Sequence, residues 1–135
     1  PEGRQEKIET RQAARSDVAG KHADRLEQRF TNYYSRLSMI LGKLQARVDA
    51  ISAEKKDTTI AKAKLVEAKT KLEEAKTLGT NTLSLFRSID PAKWSEQKTQ
   101  ALAARDLANQ AMKAFKDAHA LMVEAIRSLK SINAK

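Results

Sequence analysis

The stretch "FTNYYSRLSMILGKL", residues 30–44, is the most apolar part of the chain, and it places Tyr33 and Tyr34 side by side. Neighbouring residues stand about 100° apart around a helix, so two adjacent aromatics cannot share one narrow face. Either one ring belongs to a ligand or nucleic-acid surface, or the helix touches two partners. The spacing favours two partners. Leu26, Phe30, Tyr33, Leu37, Ile40 and Leu44 form one apolar stripe. Phe30, Tyr34, Leu37, Leu41, Leu44, Val48 and Ile51 form a second, and the two share Phe30, Leu37 and Leu44. A helix packed against two others needs such a broad face. Tyr33 is then expected in one seam and Tyr34 in the other, with each hydroxyl reaching solvent or a polar partner.

The rest of the chain supplies the two partners. Ala61, Leu65, Ala68, Leu72, Ala75, Gly79, Thr82, Phe86 and Ile89 follow a 4,3,4,3 spacing, the seam of helices packed at a shallow angle. Ala101, Ala104, Ala108, Ala111, Phe115, Ala118, Met122, Ala125, Leu129 and Ile132 keep the same rhythm, with Met112, Leu121 and Ile126 widening it. Gly79 inside the seam either admits a bulky neighbour or marks a kink. Two punctuation points separate the segments. "SAEKKDTT", residues 52–59, offers Asp57, Thr58 or Thr59 as an N-cap. "SIDPAKW", residues 88–94, pairs Asp90 as a cap with Pro91 at the first helical position. Trp94 is expected to plug that end of the bundle.

The chain is therefore read as all-α: an elongated antiparallel up-down-up three-helix bundle, coiled-coil-like, over residues 21–135. Its helices are expected near 21–52, 58–88 and 91–132. Phe30, Tyr33, Tyr34, Leu37, Leu44, Phe86, Trp94 and Phe115 mark its core. Residues 1–20 differ, because Ile8 and Val18 are their only large apolar side chains. They are expected to form a polar helical arm that protrudes or frays, with Gly20 as its weak point. Composition agrees with long helices: 4 Gly and 2 Pro among 135 residues leave few breakers, and no segment alternates as a strand would.

The chemistry-bearing residues form no constellation. There is no cysteine, which removes disulfides and thiolate chemistry. His22 and His119 lie on different helices and neither has a second ligand at metal-binding spacing. Carboxylates mostly face Lys or Arg three or four residues away, as in "KLEEAK", residues 71–76, where Glu73 and Glu74 point in different directions. The four glycines are isolated, so no phosphate loop exists. No catalytic, cofactor or metal site is expected.

The net charge is +9, spread as +1, +2, +2 and +4 over residues 1–29, 30–57, 58–90 and 91–135. Such diffuse charge favours weak attraction to polyanions. The best anion-contacting set is Arg4, Lys7, Arg11, Arg15, Arg25 and Arg29, which recur with His22 at helical spacing. Interleaved Glu2, Glu6, Glu9, Asp17, Asp24 and Glu27 leave that region nearly neutral by count. Lys62, Lys69 and Lys76 are a lesser set on the second helix. Apolar runs reach about four residues, against roughly 20 for a membrane span. The chain opens on Pro1, which is read as a processed end or a cut from a longer chain.

The segments "HADRLEQRFTNYYSRLSMILGKLQARVDAISAEKKDTT", "AKAKLVEAKTKLEEAKTLG" and "SIDPAKW" resemble a set of uncharacterised helical proteins of candidate-phylum bacteria that usually follow an export signal. The likeness covers residues from about 20 to 130. It implies export to the periplasm, the cell surface or the medium, and a small bundle, and it carries no activity or site residues. A second likeness, to small basic periplasmic chaperones of the Spy type, lacks their LTxxQ motif. Three functional readings follow: a non-catalytic exported structural or protein-interaction module; a basic anion-binding module for envelope polymer or nucleic acid; and a Spy-like chaperone cradle. An unidentified protein partner is expected, or self-association through Ala13, Ala14 and Ala19 of the arm.

Overall fold

The computed structural model describes the backbone of residues 2–90 and 93–133, and the side chains of 20–90, 93 and 96–132. The described chain is three helices with no strand: α1 Glu2–Ala53, α2 Thr59–Arg87 and α3 Trp94–Asn133. α1 runs unbroken through Gly20 and Gly42. A Cβ at either position would meet nothing, so each costs only helix propensity, about 1 kcal/mol.

Local chemistry sets the ends. α1 closes with i→i+3 bonds, Glu54 N–H to Ile51 C=O at 3.1 Å and Lys55 N–H to Ser52 C=O at 2.9 Å. Lys55 then turns the chain from the left-handed region, φ 65°. Thr58 occupies the cap position of α2 but makes no side-chain capping bond. Asp57 caps from one residue further out: its Oδ1 accepts the Thr59 amide at 3.0 Å and the Thr59 hydroxyl at 2.6 Å. Those bonds hold the Asp57 carboxyl below its ordinary pKa, because they favour the ionised form.

The third helix starts later than its sequence signal. Asp90 C=O accepts the Lys93 amide at 2.9 Å, a turn that precedes the first helical bonds, and the described helix opens at Trp94 rather than at 91. Asp90 N–H donates to Gln97 Oε1. Pro91, Ala92 and the Trp94 side chain lie outside the described residues.

The seams are as the periodicity requires. Ala61, Leu65, Ala68, Leu72, Ala75, Gly79 and Thr82 of α2 are all buried. Ala104, Ala111, Ala114, Phe115, Ala118, Met122, Ala125 and Leu129 of α3 are buried against them, while Ala101 and Ala108 are half-buried. In α1 the residues common to both stripes, Phe30, Leu37 and Leu44, are buried together with Leu26, Val48 and Ile51. Tyr33 and Ile40 flank them on one side and Tyr34 and Leu41 on the other, all half-buried. Thr82, fully buried, satisfies its hydroxyl by donating to Leu78 C=O at 2.7 Å. No buried side-chain polar atom among the described residues lacks a hydrogen bond.

Gly79 is a close-approach glycine. A Cβ there would lie 3.1 Å from Cδ2 of Phe30 and 3.4 Å from its Cγ. The helix continues straight through this position, so the glycine makes room for the ring and no kink is needed.

Cross-helix contacts run in opposite order along α1 and α2. Arg87 meets Asp24 and Glu27, Tyr34 meets Glu73, and Lys62 reaches Ser52. Between α2 and α3, Lys64 meets Glu124. Arg87 is the last residue of α2, so the first twenty or so residues of α1 continue past its end. α2 packs closely on α3, and α1 packs far more sparsely on α3 than on α2. That uneven packing leaves a groove. Among the described residues, no helix is long and apolar enough to cross a membrane.

A candidate docking groove between the first and third helices

The tyrosine pair divides between two environments. Tyr34 lies on the α2 side: its hydroxyl donates to Glu73 Oε1 at 2.9 Å, and Lys76 Nζ sits 5.0 Å from the ring centroid. Tyr33 lies on the α3 side, 5.7 Å from the Phe115 ring. Phe115 also stacks on Phe30 at 6.0 Å. Tyr33 is thus held by a buried ring beneath it and opens toward solvent beside α3.

A cleft of about 260 Å³ follows from this arrangement, lined by Tyr33, Arg36, Leu37, Ile40, Met112, Phe115, Lys116 and His119. Its floor is apolar because it is the edge of the core. Its rims are Arg36 from α1 and Lys116 with His119 from α3. Two shallower hollows adjoin it on the surface of α1 alone, one over Arg25, Gln28, Arg29, Asn32, Tyr33 and Arg36, the other over Asn32, Ser35, Arg36, Met39, Ile40 and Lys43. No acidic side chain lines any of the three.

The acids of this region are turned elsewhere. Arg87, at the end of α2, donates to Asp24 Oδ1 at 3.3 Å and to Glu27 Oε2. The Glu27 hydrogen bond, with Asp24 beside it, raises the guanidinium pKa. Glu124 of α3 pairs with Lys64 of α2 at 3.0 Å, and Asp117, one heptad before it, shares that flank. Asp106 accepts from Gln110 at 3.0 Å. Among the described residues of this segment, Asp24 and Glu27 turn toward α2 while Arg25 and Arg29 lie on another flank of α1.

Of the six anion-contacting candidates, the structure places Arg25 and Arg29, both exposed, on the α1 surface beside the groove. Lys43 lies on the same surface, and Arg36, Lys116 and His119 line the groove itself. Spacing alone did not select these four, because it cannot say which flank of α1 faces α3. Arg4, Lys7, Arg11 and Arg15 stand on the continuous helix, with side chains outside the described residues. Lys62 and Lys76 serve the α1–α2 contact instead. His22 is exposed and meets the Phe86 ring edge-on at 5.1 Å. His119 lines the groove on another helix. Among the described residues, no three His, Asp or Glu side chains gather as a metal site would require.

The groove can therefore hold a body with an apolar face and negative flanks. No protein-family profile, curated protein or solved structure matches the chain.

Proposed function

We propose that this chain is a non-catalytic, exported helical-bundle module that works by seating a protein partner in the groove between α1 and α3. The observation that carries the reading is a basic rim without carboxylates over an apolar floor: Arg36, Lys116 and His119 around Tyr33, Ile40 and Met112, with Arg25, Arg29 and Lys43 on the adjoining surface of α1. Charge of one sign beside apolar surface is costly to leave open and favourable to cover with a complementary body. Export rests on the likeness to exported helical proteins.

The test is a photo-crosslinking side chain placed at Arg36, in the groove, and separately at Val66, exposed on α2. Crosslinks to one protein species from position 36 and not from 66 are expected. Equal yields at both positions would reject a groove-specific partner.

A second reading, a module for polyanions, draws on the same basic flank. It requires retention on heparin or DNA that weakens steeply with salt yet persists at ~50 mM, as several phosphate contacts would ensure.

A further inference from the structure

We propose that the occupant of this groove is an acidic amphipathic helix of a partner protein, with apolar residues on one face and carboxylates along both edges of that face. This deepens the interaction reading and rests on it.

Shape comes first. α1 and α3 lie side by side with a shallow apolar channel between them, and a surface channel between neighbouring helices is filled most closely by a third helix. The floor offers Tyr33, Ile40 and Met112, half-buried and spread over about two turns. That is the spacing at which one helix face presents successive apolar residues. The basic flank of α1 from Arg25 to Lys43 covers nineteen residues, about 27 Å of helix, enough to flank five turns of a partner.

Charge then selects among helices. Arg36 stands on one edge of the groove and Lys116 with His119 on the other, Arg25, Arg29 and Lys43 lie on the adjoining surface of α1, and no carboxylate lines the groove or these hollows. Edge charges choose partners in paired helices. A basic partner would meet repulsion on both edges, and a neutral one would leave the rim cations partly desolvated without compensation. A second copy of this chain fits poorly, since it carries +9 and its Asp24 and Glu27 are engaged by Arg87. Single-stranded nucleic acid fits poorly as well. It needs successive aromatic platforms, and the groove offers two accessible rings, Tyr33 and His119, on different helices, Phe115 being 3% exposed.

The experiment uses the full chain and labelled synthetic peptides, read by fluorescence anisotropy. The probe is a peptide of about three heptads with Leu at the a and d positions and Glu at e and g. Its comparators are the same peptide with Lys at e and g, polyglutamate of equal length, and an oligothymidylate of similar contour length. The acidic amphipathic peptide is expected to bind at least about tenfold more tightly than each comparator. Arg29→Glu, Arg36→Glu and Lys116→Glu together are expected to lose that preference. Lys62→Glu with Lys69→Glu, on α2, is expected to leave the affinity within about twofold. Equal binding of the lysine peptide or of polyglutamate overturns the proposal, as does tighter binding of the oligothymidylate. The peptide comparison uses the unaltered chain, so it decides even if the triple variant fails to fold. Peptide failure with groove-specific crosslinking would remove this occupant and leave the interaction reading intact. The absence of groove-specific crosslinks would remove the reading itself.

Discussion

At the scale of single residues, three positions carry most of the local information. Lys55 turns the chain at φ 65°, a conformation that costs an L-residue roughly 1–2 kcal/mol relative to the right-handed region. Lys55→Gly is expected to raise the urea midpoint, by a net of about 0.5 kcal/mol after glycine's larger unfolded-state entropy is counted. An unchanged or lower midpoint would show that the turn is not strained. Gly79 faces the Phe30 ring at a distance that a Cβ would make tight. In Gly79→Ala, the gain of about 1 kcal/mol in helix propensity offsets that crowding, so the thermal midpoint is expected to stay nearly unchanged. In Gly79→Leu the crowding dominates and about 1–3 kcal/mol is lost. Asp57 caps α2 as a carboxylate whose pKa folding depresses. Its contribution is present above the unfolded pKa and disappears as the pH falls through the folded one. Asp57→Ala should therefore melt lower than the unaltered chain at pH 7, and the gap should close below about pH 4. A gap that persists at pH 2 would mean that the side chain acts through something other than its charge.

At the scale of elements, α2 was the most legible. Seven of the nine residues its 4,3,4,3 spacing marks are buried, with Phe86 and Ile89 half-buried at its end. α1 was legible as a doubled stripe, and the structure adds depth: the residues common to both stripes are buried, and the tyrosines flank them half-buried. Phe30 lies between Gly79 and Phe115, so Phe30→Ala should cost about 3–5 kcal/mol, measured by denaturant unfolding. Tyr34→Phe should cost less than about 1 kcal/mol, since it loses one exposed hydrogen bond and keeps the ring packing. The burial of Ala23 and Ala114 was not legible, because an alanine reads equally as core or as a neutral surface helix former. The start of α3 was misplaced by three residues, since an Asp-Pro signal cannot distinguish a helix from a turn that leads into one. The groove was half legible. Its basic residues recur visibly in the sequence, but their separation from Asp24 and Glu27 depends on where Arg87 falls, sixty or more positions away.

At the scale of the whole molecule, a net charge of +9 is spread along the chain, and among the described residues one channel is rimmed by cations with no carboxylate beside them. Such an arrangement repels itself at low ionic strength. Raising the salt from ~10 mM to ~300 mM should therefore raise the thermal midpoint, because screening relieves the rims more than it weakens exposed pairs such as Lys64–Glu124. A falling midpoint would mean that the ion pairs dominate. Removal of residues 1–19 should shift the midpoint by only about 2–3 °C, since α2 ends level with Asp24 and Glu27.

The hollow at Gly79 also acts as a detent for the assembling hairpin. If α1 slid along α2 by one heptad, the Phe30 ring would meet Leu72 or Phe86 in place of the glycine. Every other repeat of the alanine-rich ladder looks much like the next, so this one bite into the backbone indexes the two rods. It also dictates which lysines and arginines end up along the open channel.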